Sequence, residues 1–201
     1  MARYVLTGAP GSGKTAILRL LELAGYRVVE EAATDVIALR RALGQPEAWT
    51  GPDFVDAIVS LQRRRQDRAE RDGAGVDGIF FDRWPVCTLA LSRYLGFPVS
   101  PLLAAEVDRV VADRAATLAF FVRNQGFVEP TAARRISFED SLVFEDVHER
   151  TYRELGFELI DVPAGPLQER ADLVCAAAGG GPVRDDIRTR GWDNPGDVQS
   201  S

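Results

Sequence analysis

Short apolar runs punctuate this chain at Arg3 to Thr7, Tyr26 to Glu30, Ile79 to Phe81, Thr117 to Val122 and Phe157 to Val162. Between them apolar residues recur every three or four positions, as in Ile17, Leu18, Leu20 and Leu21, or Phe54, Ile58 and Leu61. The short runs have the composition and length of strands buried in a sheet, and the longer period is that of a helix with one face in a core. The pattern predicts strands over 3–7, 26–30, 79–81, 117–122 and 157–162. Helices are predicted over 15–23, 34–43, 53–71, Pro85 to about Leu95, Leu102 to Asp113, from Ser137, and over 167–178. Local signals agree with these limits: Gly25 is placed to close the first helix, Pro85 suits a first turn, and Ser137-Phe138-Glu139-Asp140 has the form of a capping box. Strands alternating with helices give right-handed crossovers. The expected fold is therefore three-layer α/β/α around a five-stranded parallel sheet. One domain over 1–178 is expected, followed by a Gly-rich, mixed-charge tail over 179–201 with too few apolar residues to pack by itself.

Composition narrows the partners. At 201 residues and 46% hydrophobic, the chain can bury one sizeable core. A net charge of -6 gives no cationic field for a phosphate backbone, so nucleic acid is not an expected partner. Without an apolar run of about 20 residues, no membrane span is expected, and the chain reads as cytoplasmic. Cys87 and Cys175 lack metal-ligand spacing and read as small buried apolar groups. The basic residues are 23 arginines and one lysine, Lys14.

Lys14 stands in Gly8-Ala9-Pro10-Gly11-Ser12-Gly13-Lys14-Thr15, between a predicted strand and a predicted helix. Glycines at these positions let successive N–H groups turn inward around phosphate oxygens, and the helix N-terminus adds its partial positive charge. A nucleotide triphosphate, ATP, is expected on Gly8, Pro10, Gly11, Ser12, Gly13, Lys14, Thr15 and Ala16, with Lys14 reaching the β and γ phosphates and Thr15 ligating Mg2+. Asp82, ending an apolar strand, is placed to hold the same Mg2+, or else to cap the helix entered at Trp84-Pro85. Arg83 beside it suits a clamp on a phosphate or acceptor oxygen, or a surface salt bridge. Glu30 and Glu31 end the second strand facing opposite ways, and Glu31 is the favoured base for an attacking hydroxyl, or else the two are a solvated pair at a helix start, favoured by its dipole. Arg123, Arg134 and Arg135 suit a short lid that brings cations over a transferring phosphoryl group, with Arg123 also a nucleotide contact; each could instead pair with a surface acid. Gln62-Arg63-Arg64-Arg65 reads as a charged helix face with an opening toward the acceptor, and the single histidine, His148, as a surface side chain.

With these residues in place, the chain resembles the small P-loop proteins grouped with the NadR-like nicotinamide riboside kinase domain, described as AAA-type ATPases, and more distantly nucleoside and nucleotide kinases. The matching stretches are Tyr4 through Thr15, Gly25 through Ala33, Phe80-Phe81-Asp82-Arg83, and Arg134-Arg135 before Phe138-Glu139, within about residues 3 to 175. The resemblance implies ATP- and Mg2+-dependent phosphorylation of a small hydroxyl-bearing acceptor, with Asp82-Arg83 similar to the acidic-Arg pair of nucleoside kinases. A homodimer is compatible with it. The rival reading is an ATP-hydrolysing switch that acts through a protein partner. Guanine recognition through an N-K-x-D motif is excluded, because the chain's only lysine is Lys14. A ring-forming motor is disfavoured because the span after the fifth strand is too short for its extra helical domain.

Overall fold

The computed structural model describes residues 2–45, 47, 49–51, 53–72, 78–126 and 137–181. Strands β1 (Ala2–Thr7), β2 (Arg27–Val29), β3 (Gly78–Asp82), β4 (Thr117–Val122) and β5 (Leu159–Val162) form one sheet in the order β2-β3-β1-β4-β5. Every neighbouring pair is parallel, with Leu6 opposite both Asp82 and Phe120. The carboxyl ends of all five strands therefore lie along one edge, where ligands of such sheets bind.

The helices are α1 (Lys14–Leu23), α2 (Ala33–Ala42), α3 (Asp53–Asp72), α4 (Pro85–Tyr94), α5 (Pro101–Ala112), α6 (Phe138–Glu154) and α7 (Leu167–Ala177). Side-chain alternation on the strands divides the core. Tyr4, Leu6, Phe80, Phe120 and Val122 meet Ile17, Leu18 and Leu21 of α1 and Val174 of α7 on one face. Val5, Ile79, Phe81 and Ala119 meet Val86, Val110 and Tyr152 on the other. Trp84, 1% exposed, lies between Phe81 and Phe157 at centroid distances of 6.3 and 6.0 Å. Full burial of each such large side chain contributes about 1.5–3 kcal/mol, which makes this layered core the main source of stability. The expected three-layer α/β/α arrangement with a five-stranded parallel sheet is the one found.

The helix ends follow local chemistry. Gly25 has φ 92, with Tyr26 N–H on Leu21 O and Gly25 N–H on Glu22 O, both 3.0 Å, the two bonds of a Schellman closure. The Ser137 hydroxyl accepts from Asp140 N–H at 3.0 Å and donates to the Asp140 carboxylate at 2.9 Å. The strand expected over 26–30 is shorter, Arg27–Val29, so Glu30 and Glu31 lie in the turn beyond it. Residues 182–201 of the expected tail lie outside the described residues. Among the described residues no helix is long and apolar enough to cross a membrane.

Candidate active site

The loop after β1 packs close to its neighbours. A Cβ on Gly8, at φ 124, would stand 2.4 Å from the Val122 carbonyl oxygen at the end of β4, so only glycine fits there. Gly13, the residue before α1, is also left-handed, φ 91, and turns the chain from the loop into the helix. Lys14 folds back over this loop. Its ammonium donates to Ala9 O at 2.6 Å, Ser12 Oγ at 3.0 Å and Gly8 O at 3.2 Å, and the side chain is buried. Burial first, and the Arg83 charge second, lower its pKa to about 7. The protein thus holds the ammonium on neutral carbonyl and hydroxyl oxygens where an anion would hold it better.

At the end of β3 the Asp82 carboxylate is 2% exposed. Its Oδ2 accepts from the Thr15 hydroxyl at 2.8 Å, and its Oδ1 is buried with no hydrogen-bond partner. Helix α4 is entered at Trp84 with no side-chain cap, so Asp82 does not serve as its cap. Burial, then the Glu31 charge, raise the Asp82 pKa. A carboxylate oxygen lacking a donor, next to a threonine hydroxyl, fits Mg2+, which takes one or two protein oxygens and completes its shell with water and phosphate. The described residues contain no group of three or more His, Cys, Asp or Glu side chains that could hold a metal by themselves. Any ion here would depend on the nucleotide for the rest of its ligands.

Arg83 has φ 68, unusual for a side-chain-bearing residue. Its Nε lies 2.7 Å from Glu31 Oε1, and Nη1 lies 3.1 Å from His148 Nε2. The Thr34 hydroxyl donates to Glu31 Oε2 at 2.8 Å. Glu30 turns the other way, to an exposed ion pair with Arg19 on α1. Arg65 of α3 fixes this choice by donating Nη1–H to the Glu31 carbonyl at 2.6 Å and the Glu30 carbonyl at 3.1 Å, while also pairing with Asp35. Glu31, Arg83 and Pro10 line a cleft of about 420 Å³. Trp49, Phe54, Tyr94 and Phe144 form much of its remaining wall. Gln62, buried on α3, also faces it and accepts from the Thr88 hydroxyl at 2.9 Å. Arg63 instead pairs with Asp67 and Glu106, so the Gln62 to Arg65 run divides between cleft, surface and turn.

Several residues stand elsewhere than the sequence pattern suggests. Arg123, expected as a nucleotide contact, has its guanidinium committed to Glu149 at 2.6 Å and Asp161 at 2.7 Å, with Glu145 at 3.5 Å. Three carboxylates from α6 and β5 converge on it, which one cation at a strand end cannot avoid. His148 is fully buried, not on the surface, because α6 turns it inward against the Phe144 ring at 4.4 Å. Arg134 and Arg135 lie outside the described residues.

Arg170 on α7 has no signal in the sequence and proves to be part of the loop. It is 3% exposed, and it donates to Ser12 O at 2.8 Å and to Arg123 O at 3.0 Å; its Nε has no hydrogen-bond partner. It thereby ties α7 to the phosphate loop and to the end of β4. Arg170→Met is expected to lower unfolding stability by about 2–3 kcal/mol through loss of these two charge-assisted bonds. Chemical denaturation checks this, and an unchanged midpoint would show that the contacts contribute nothing net.

A protein-family model described as an AAA domain matches residues 3–170. No curated protein matches in sequence. Among solved structures, the NadR protein in complex with NAD and AMP-PNP superposes with TM-score 0.66 at 18% identity, over 89% of this chain and 49% of that one. The chain thus spans about half the length of the NadR protein. Thymidylate kinase from Ehrlichia chaffeensis superposes with TM-score 0.58 at 13% identity, over 85% of this chain and 94% of that one. Deoxyadenosine kinase from M. mycoides, with dCMP and dCDP bound, gives 0.56 at 13%, over 88% and 98%. At these identities the likeness is one of fold, that of a P-loop kinase-like domain.

Proposed function

This chain belongs to the AAA domain family, with a P-loop kinase-like fold, and from that premise we propose that it transfers the γ-phosphoryl group of ATP to a hydroxyl of a small, nucleoside-sized acceptor. The observation that carries this reading is the cleft bordered by Pro10 of the phosphate loop, by Glu31 and Arg83, and by aromatic side chains. A cleft of about 420 Å³ with mostly apolar walls and a few polar groups is the form of a small-molecule site.

In this reading the inward N–H groups from Gly8 to Ala16 cradle the phosphates, and Lys14 exchanges its carbonyl and hydroxyl partners for phosphate oxygens. Thr15 and the Asp82 oxygen that lacks a donor would hold Mg2+, which when bound would neutralise charge on the phosphates. Glu31 takes the proton of the acceptor hydroxyl as its oxygen attacks the γ-phosphorus; the bond from that phosphorus to the ADP oxygen breaks, and ADP leaves. Arg83 places positive charge beside the transferring group. Apolar walls exclude water, so hydrolysis stays slow until the acceptor is seated.

Transfer from γ-labelled ATP with Mg2+ to nucleosides, nicotinamide riboside, sugars and aminoglycosides tests the proposal. Label on one acceptor supports it and names the substrate class. Rapid ATP hydrolysis with no labelled acceptor would replace it with an ATP-driven switch acting on a protein partner.

A further inference from the structure

Arg83 is held in a conformation that a side-chain-bearing residue keeps only when its surroundings over-determine it. Its main-chain N–H donates to Leu6 O at 3.1 Å, beyond the last β3–β1 pair, which fixes the turn into α4. The side chain is then set by two groups from opposite directions, Glu31 from the end of β2 and His148 from α6. His148 Nδ1 lies 3.0 Å from the Phe144 carbonyl. A carbonyl only accepts, so Nδ1 carries the proton, and Nε2 keeps the lone pair that faces Arg83 Nη1 at 3.1 Å.

We infer, building on the phosphoryl-transfer reading, that His148 is a positioning residue that, as the neutral Nδ1–H tautomer, accepts from Arg83 and aims its guanidinium at the transferring phosphoryl group. Glu31 alone would leave the planar guanidinium free to swing about one contact. With His148 on the other side, the ion pair at Nε, which lacks hydrogen-bond geometry, is joined by a hydrogen bond at Nη1 that fixes the direction of the fork. The ring is itself fixed, by the Phe144 carbonyl and by the Phe144 ring, which also lines the cleft. Burial first, then the Arg83 charge, hold the imidazole well below its ordinary pKa, with Lys14 adding to the effect and the Phe144 carbonyl opposing it. These influences keep the lone pair available. An apolar side chain would fill the same space but accept nothing.

The chain has one histidine, so the imidazole nitrogen signals of a tag-free, 15N-labelled sample belong to His148 alone. The expected spectrum at pH 7 shows a protonated Nδ1 and an unprotonated Nε2 whose signal shifts in Arg83→Met. In kinetics, His148→Leu is expected to lower kcat for the acceptor by about 10²-fold with little change in acceptor KM. His148→Gln, which keeps an acceptor near the Nε2 position, recovers most of that loss, and adding His148→Leu to Arg83→Met costs nothing further. An Nε2–H tautomer, an Nε2 signal indifferent to Arg83→Met, or equal losses in the Leu and Gln variants would overturn the positioning role alone. Absence of any labelled acceptor with the wild-type protein overturns the phosphoryl-transfer reading, and the positioning role with it.

Discussion

Lys14→Ala is expected to reduce acceptor phosphorylation by about 10³-fold or more, measured as transfer from γ-labelled Mg-ATP. The only lysine of the chain is buried in the phosphate loop with its ammonium on three neutral oxygens, while the nearby guanidinium of Arg83 is paired with Glu31 and that of Arg170 is bonded to main-chain carbonyls. Lys14→Arg is expected to fail as well. A planar guanidinium presents a fork where Lys14 presents a compact point charge, and it cannot shed its charge in the unliganded, buried state. Lysine can, because burial and then the Arg83 charge lower its pKa to about 7. Above pH 7 the free protein therefore carries Lys14 largely neutral, whereas the triphosphate complex needs it charged. Nucleotide binding at pH 8.5 should take up about one proton, and affinity for Mg-ATP should fall by roughly tenfold per pH unit from 7 to 9. Titration calorimetry in buffers of different ionisation heat measures the uptake. An affinity independent of pH across that range would mean the ammonium is already charged before phosphate arrives.

The second large effect is expected at Glu31. Glu31→Gln should lower kcat by about 10²–10⁴-fold while changing acceptor KM little, as for the loss of a general base. Glu30→Gln, one residue away, should leave the rate within about twofold, because its carboxylate is exposed and turned to Arg19 on α1. The contrast arises in the turn after β2, where Arg65 grips both carbonyls and sends Glu31 toward Arg83 and the cleft. Steady-state rates for the two variants at saturating Mg-ATP decide it. Equal losses would move the proton acceptor elsewhere, and equal near-wild-type rates would remove the need for one.

How much of the site could be read in advance depended on the distance over which each side chain finds its partner. Strand alternation said only that one of Glu30 and Glu31 would face the cleft; β2 ends before both, and it is the turn, held by Arg65, that brings Glu31 to it. Arg123 illustrates the opposite case. An arginine at the end of a strand next to a phosphate loop is a reasonable nucleotide contact, but Glu145 and Glu149 lie one helical turn apart on α6 and both reach it, with Asp161 closing from β5. His148 was misjudged for a related reason. Its neighbours Glu145, Asp146, Glu149 and Arg150 are polar, yet its own position on the helix falls on the buried stripe with Phe144 and Tyr152.

The strands, the helices with their Gly25 and Ser137 ends and the phosphate-loop motif were set by relations among residues a few positions apart. Backbone conformation, capping bonds and the hydrophobic period act over that range, and so the sequence alone determined them. The charged groups around the loop were decided only when the chain packed. Thr15 meets Asp82 across 67 residues, Arg83 meets His148 across 65, and Ser12 meets Arg170 across 158. Each contact needs two elements to be brought to one edge of the sheet and turned to face each other. Burial then selects which polar groups keep partners, since an ion left alone in the interior costs more than the fold can readily offset.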